Sequence, residues 1–455
     1  MGFPAEFENA NDPTPRSSMS ADVVFYDDQR ARSFEPFAST RPISEMVAGV
    51  MAIRERWTNL LQPGSVRFVA GGRHEYFDEG TASAARGVIP RGTIIVNARA
   101  LPSLPVDPTR AARQSAASTM WRCNDRLAAV RLGAPVDARV FADGSVALDE
   151  LHAATGAIAE VRGWWLDEVW DFIRLLPDLL ESDIGQLVQR PDIAGSMEGS
   201  VEPHVTVLGA HRVAIVGADA SGTGGQARLE PHVVLDATAG PILIQPGAHV
   251  HAFTRVNGPC YIGRDAILMG GDISGSSIGD VCKVRGELTS SVVAGYSNKG
   301  HDGFVGHSYI GRWVNLGAGT ITSNLKNTYG SVSLWTPSGV RDTGMQFLGT
   351  MFGDHVKTGI GTRLMPGTYI GFCCTLAGSN IPPRFVPSFS FWTDKGMAPY
   401  DLDKAKQVMK AVYARRDLRW TDADDRMVAQ VLRTAPQVEK QGPDEPAVLT
   451  AASSA

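Results

Sequence analysis

A chain of 455 residues with 43% apolar and 20% charged side chains is long enough for two or three domains and has the balance of a globular protein. Its 43 basic and 48 acidic residues leave a net charge of −5, which argues against a broad nucleic-acid surface, and no apolar run is long enough for a membrane span. The first twenty residues carry acids and no apolar core, so they do not read as a secretory signal. Five cysteines without a CxxC spacing fit reduced thiols in the cytoplasm better than disulfides or a zinc site.

In chain order, residues 1–21 read as a disordered tail, polar and proline-bearing. VVFYDD (23–28), SVRFVA (65–70) and GTIIVNARAL (92–101) read as strands, and MVAGVMAIRERW (46–57) as a helix. TRAARQSAASTMW reads as a helix, and RLAAVRL and ARVFADG as strands. WWLDEVWDFIRLLPDLLESDIGQLV (164–188) reads as an apolar helical region that buries Trp164, Trp165 and Trp170. Strands alternating with helices predict an α/β, Rossmann-like domain over 22–195.

From about residue 200 the pattern changes. Aliphatic residues recur six apart at Ile244, Val250, Val256, Ile262 and Leu268, again at Phe304, Ile310, Leu316 and Thr322, and again at Phe352, Thr358, Leu364, Ile370 and Leu376. Six is even, so in extended chain these side chains share one face of the pleat, whereas on an α-helix they form no stripe. With glycine and small residues between them, this is the repeat of a left-handed parallel β-helix, expected over 200–390. SLWTPSGVRDTGMQFLG (333–349) breaks the register as a protruding loop or a distorted coil. A C-terminal helix over 398–433 caps the prism, and 434–455 reads as a second loose tail.

The stretch GYSNKGHDGFVGHSYIGRWVNLGAGTITSNLKNTYG (295–330) resembles the acetyltransferase half of the bifunctional enzymes that make UDP-N-acetylglucosamine, which join a uridyltransferase to a glucosamine-1-phosphate acetyltransferase. Gly300-His301 and Asn315-Leu316-Gly317-Ala318-Gly319-Thr320, followed by Asn324, keep that family's spacing. FYDD, RPISEMVAGVMAIRERW and IVNARALP resemble a divergent branch of sugar nucleotidyltransferases with an alternative N-terminal domain. The resemblance implies a nucleotidyltransferase-like domain before the β-helix, acetyl-CoA as co-substrate, Mg²⁺ where the nucleotidyltransferase site is active, and a homotrimer with sites between neighbouring prisms. It places the general base at His301 and substrate contacts at Asn315 and Asn324. The chain departs from the family at Asn298, where a lysine is usual, and at Phe304, where a tyrosine is usual.

Read for chemistry, acyl transfer to an amine needs a base near neutrality and donors for an oxyanion. His301 sits in glycine-rich chain that lets a substrate approach, and Asn315 follows about one coil later. His355 is the reserve base, while His249, His251 and His307 are expected at subunit interfaces or coil caps. Lys283, Arg285 and Lys326 are candidate phosphate contacts or solvated charges, and Asn324 serves equally as a substrate contact or a corner residue. In the first domain Arg30, Arg32, Arg41 and Asn97 are the nucleotide-binding candidates. Asp27 and Asp28 are either metal ligands or a turn cap, and the phosphate-cradling glycines of such loops are absent. The resulting expectation is acetyl transfer to a hexosamine 1-phosphate, coupled to uridylyl transfer from UTP. The alternatives are a nucleotidyltransferase with a structural β-helix, or a non-catalytic nucleotide-sugar sensing trimer.

Overall fold

The computed structural model describes residues 21–69, 71, 73–77, 82–190, 193, 204–217 and 225–439. The expected tails at 1–20 and 440–455 lie outside the described residues, whereas 434–438 are helical and not a tail.

The first domain is built on a seven-stranded mixed sheet. Its order is Ala157–Val161, Ser118–Cys123, Arg126–Arg131, Ile94–Asn97, Val23–Tyr26, Val66–Val69, Ser83–Ala84. Val23–Tyr26 lies beside the central strand Ile94–Asn97, parallel to both neighbours and fully buried, as its β-branched and aromatic composition requires. Arg126–Arg131 runs antiparallel to Ile94–Asn97, so the sheet is mixed rather than the all-parallel form.

Several elements differ from the sequence reading. The expected helix at 46–57 begins only at Ile53, because Val47–Ala48 and Met51–Ala52 form a small hairpin. Gly49 turns it at φ +71°, and a Cβ there would meet the Asp183 carboxylate at 2.2 Å. The helix expected in TRAARQSAASTMW covers Pro108–Ser115, and the remainder is strand Ser118–Cys123. ARVFADG is a 3₁₀ turn at Ala138–Phe141 rather than a strand. Trp164 and Trp165 lie on strand Gly163–Trp165 and not on a helix, while Trp170 is buried ahead of helices Asp171–Arg174 and Leu176–Leu187.

The second domain is a three-faced parallel β-helix. On one face the rungs Arg228–Leu229, His249–Val250, Ile267–Leu268, Lys283–Val284, Asn298–Lys299, Asn315 and Lys357–Thr358 stack in parallel register. A second face carries Val234–Asp236, Thr254–Asn257 and Phe304–Gly306, and a third runs in nine strands from Val213–Ile215 to Phe385–Val386. The hexad residues are buried as expected, with one shift: Val305 fills the interior and Phe304 faces outward beside Glu287. The slip falls between Val305 and Ile310, which stand five apart where the other steps around them are six. The break at 333–349 is an antiparallel hairpin, Ser333–Thr336 with Gly339–Asp342. Its Leu334 and Trp335 are buried against the first domain.

The third face docks on the first domain. The Tyr309 hydroxyl accepts from Val47 N at 3.2 Å and donates to Val47 O at 3.1 Å, and Ser277 Oγ donates to Gly49 O at 2.6 Å. Arg41 forms a buried ion pair with Asp354, which also accepts from Thr40 Oγ1 at 2.8 Å. The single cap helix expected at the C-terminus is two helices, Leu402–Ala414 and Asp422–Val438, divided by the Thr421–Asp424 capping box. Trp313 stacks between Tyr296 and Tyr413, with centroids 4.4 and 4.3 Å away, and so anchors the first of these helices to the prism.

Within the first domain Arg56 and Asp183, both fully buried, form a bidentate ion pair. Asp183→Ala leaves a buried guanidinium without its counter-charge and is expected to cost about 3–5 kcal/mol. Replacing both residues with apolar ones of similar volume should cost less. Guanidinium unfolding of the two variants checks the difference.

Candidate functional site

Parallel stacking brings residues far apart in sequence into one file. Lys283, Asn298, Asn315 and Lys357 occupy the same outward position on successive coils of the first face. With Val412, Arg415 and Arg416 at the end of the first C-terminal helix, they line a cleft of about 260 Å³ walled by Tyr296 and Trp313. Arg416 Nη2 donates to Asn298 Oδ1 at 2.8 Å, and Asn298 Nδ2 donates to Asn315 Oδ1 at 3.4 Å. Lys283, Lys357, Arg415 and Arg416 face this space with no carboxylate among its lining residues. Such a cleft attracts anions.

His301 lies on the exposed turn that joins this face to the next. The turn is held from inside by Lys299, an almost fully buried side chain at an inward rung position. Its ammonium donates to Arg285 O at 2.7 Å and His301 O at 2.8 Å, and burial pushes its pKa down to about 8. Asp302 O accepts from Gly319 N at 3.1 Å and ties the turn to the following coil. Arg285 pairs with Asp302 at 3.1 Å on the surface. His301 and Asn315 therefore sit on consecutive coils, the first at the corner that follows the face and the second in the cleft on that face.

The other β-helix candidates lie elsewhere. The Asn324 amide meets the His307 ring at 2.9 Å on a different corner, and Lys326 follows on that loop. His355 is buried among Trp313, Phe372 and Tyr413, out of reach of a substrate. Lys357, Arg415 and Arg416 were not singled out by sequence. Lys357 lies 42 residues beyond Asn315, and the inserted hairpin hides their shared rung. The arginines come from a helix whose docking only the aromatic stack determines.

In the first domain the candidates gather at the C-terminal ends of parallel strands, where α/β sheets place ligands. Asp28 accepts from Arg99 at 2.7 to 3.0 Å, from Asn97 Nδ2 at 2.9 Å and from Ala31 N at 2.9 Å. Burial alone would raise its pKa, but the Arg99 guanidinium outweighs it and holds the carboxyl below the usual range. Arg30, Arg99 and Arg126 converge on Asp167 at 2.9 to 3.1 Å. Arg32 is engaged by three main-chain carbonyls, those of Asp27, Phe141 and Ala142. Arg41 points away into the domain interface toward Asp354. Asp27 is buried and accepts from Ile43 N at 3.2 Å, and burial raises its pKa to about 7. A Mg²⁺ ion needs accessible, ionised oxygen ligands. Asp27 is enclosed and Asp28 is clasped by Arg99, so this arrangement does not fit the ion.

Burial also pushes the Lys357 pKa down to about 8; its ammonium donates to Trp313 O at 3.1 Å and His355 O at 3.3 Å. Between that value and the ordinary lysine value of 10.5 the unfolded chain binds the proton and the folded chain does not. The Lys357 contribution to stability is therefore expected to rise with pH across this window, against the five buried cysteines, whose raised pKa values lower stability as pH climbs above the ordinary thiol value. Lys357→Met should remove this contribution, so that the stability of the variant relative to the wild type falls as pH rises from about 8 to 10.5; denaturation midpoints of both proteins at a series of pH values provide the check.

Residues 23–190 match the family described as sugar nucleotidyl transferase. The bifunctional protein GlmU of Methanocaldococcus jannaschii is 34% identical over 105 residues, covering 23% of this chain and 26% of that protein. The GlmU of a Synechococcus species is 24% identical over 261 residues, covering 56% and 46%. The bifunctional sugar-1-phosphate nucleotidylyltransferase/acetyltransferase of Sulfurisphaera tokodaii is 36% identical over 85 residues, covering 19% and 21%. The matched region thus spans less than half the length of each of these relatives. The chain joins a stretch that matches the sugar nucleotidyl transferase family to a hexapeptide-repeat β-helix, and it is distantly similar, over part of its length, to the bifunctional GlmU proteins.

Proposed function

We propose that the chain transfers an acetyl group from acetyl-CoA to the amine of a hexosamine 1-phosphate such as glucosamine 1-phosphate. The observation that carries this reading is an exposed imidazole, His301, on the turn three residues after Asn298, which lines a cationic cleft together with Asn315. The amine nitrogen attacks the thioester carbonyl carbon while His301 accepts the amine proton. Asn315 and main-chain amides of the glycine-rich turns stabilise the tetrahedral oxyanion. Collapse expels the coenzyme A thiolate, which takes up a proton, and leaves the amide. Lys283, Lys357, Arg415 and Arg416 hold phosphate groups of donor or acceptor, as their shared cleft favours. Arg285, Asn324 and Lys326 stand further off in this reading.

A homotrimer completes the site. The corner that carries His301 also exposes Phe253 and Ile360, at 75% and 85% of their full surface, an apolar edge suited to a neighbouring prism. The five cysteines are all buried and free, which suits a reducing cytoplasm. Among the described residues no helix is long and apolar enough to cross a membrane. The partners proposed are small sugar phosphates and nucleotides rather than nucleic acid.

For the first domain the self-pairing of Asp28 with Arg99 favours a second reading, in which it binds a nucleotide sugar without turning it over. Uridylyl transfer from UTP, giving UDP-N-acetylglucosamine, would require Asp27 and Asp28 to be freed from their present partners.

An assay with glucosamine 1-phosphate, acetyl-CoA and UTP, reading coenzyme A and pyrophosphate separately, tests both parts. His301→Ala is expected to lower coenzyme A release by about 10²- to 10⁴-fold and to leave any pyrophosphate release unchanged. Wild-type coenzyme A release by the variant would overturn the acyltransferase reading.

A further inference from the structure

We propose that Glu230, His249 and His251 form a binding site for a divalent transition-metal ion, of the Zn²⁺ class, that clamps two successive coils near the start of the β-helix. The register creates the cluster. Arg228 pairs with His249 and Leu229 with Val250, and Val250 is buried in the prism interior. Alternation then sends His249 and His251 outward together, and Glu230 outward one coil below. Glu230 N donates to Val250 O at 2.9 Å, which fixes the two coils at this point.

The geometry is already close to that of a coordination shell. Glu230 Oε1 lies 2.9 Å from His249 Nε2 and 3.6 Å from His251 Nδ1, and one ligand atom from each residue falls within 4.8 Å of the others. Ligands on a tetrahedral ion with bonds of about 2.0–2.2 Å stand about 3.3–3.6 Å apart, so small rotations bring all three onto one ion. An ordinary surface ion pair explains the first distance. It does not explain why a second imidazole stacks on the first, with centroids 4.1 Å apart, and points at the same oxygen. Glu230 Oε2 accepts from Ala252 N at 3.0 Å, and this orients the carboxylate as outer-shell hydrogen bonds do in metal sites. All three side chains are partly exposed, so an ion can enter and water can fill the remaining positions. Two imidazoles and a carboxylate select zinc, nickel or cobalt over Mg²⁺ or Ca²⁺. The clamp belongs to the β-helix scaffold and lies three coils before His301 along the same edge of the prism.

The untagged full-length chain, stripped with chelator and titrated with ZnCl₂ in a calorimeter and with Co²⁺ in a spectrophotometer, tests the site. The expected result is one ion per chain, visible Co²⁺ absorption of a nitrogen- and oxygen-ligated ion, and a higher thermal midpoint with Zn²⁺. The His249→Ala/His251→Ala double variant should lose the Co²⁺ bands, and Glu230→Gln should weaken Zn²⁺ binding at least about tenfold. No binding by the wild-type chain, or equal binding by these variants, would overturn the proposal. If the double variant misfolds, Glu230→Gln, which keeps the size and hydrogen-bonding capacity of the side chain, decides alone.

Discussion

The parallel main-chain ladder between successive coils is the constraint from which the second domain follows. Each rung must lie over its counterpart one turn away, so inward residues pack on inward residues and outward residues form files. The inward file of Val250, Leu268 and Val284 is the apolar core of the prism. The outward file that includes Lys283, Asn298, Asn315 and Lys357 sets one lysine at each end of two neutral asparagines. The lysines are tolerated because the cleft is open to water at one side and the buried Lys357 ammonium is capped by carbonyls. Lys299 shows the same ladder at its least favourable: register forces a lysine inward, and two main-chain carbonyls beside the His301 turn receive its protons.

The docking of the prism on the first domain redistributes that domain's charges. The third face of the β-helix covers the region around Val47 and Gly49, and Asp354 recruits Thr40 and Arg41 into a buried contact. An arginine of the loop that would face a triphosphate is thereby committed to holding the two domains together. The remaining charges neutralise one another, Asp28 against Arg99 and Asp167 against three arginines. A strand-end site of this kind is polar and ordered, yet its hydrogen-bonding capacity is largely satisfied within the protein. The β-helix differs: His301 is exposed at a corner, and the cleft on the preceding face is lined by Lys283, Lys357, Arg415 and Arg416 with no carboxylate among its lining residues. The contrast places the more available chemistry in the second domain.

By itself the sequence determined the β-helix, because a period of six in extended chain is a local property that each hexad reports independently. It also determined the central buried strands of the first domain, where continuous apolar runs leave little choice. It misread the positions where tertiary contacts override local preference. Gly49 delays a helix because a turn must fit against Asp183 and Ser277, and a five-residue step from Val305 to Ile310 puts Val305 inward in place of Phe304. Trp164 and Trp165 join a strand because Ala100–Pro102 is there to pair with them. Only the tertiary structure decided the company each candidate keeps. Asn324 went to His307, Arg41 to Asp354, and Lys357, Arg415 and Arg416 joined Asn315. Those partners come from coils and helices distant in sequence, and their meeting depends on register and docking, which no local pattern encodes.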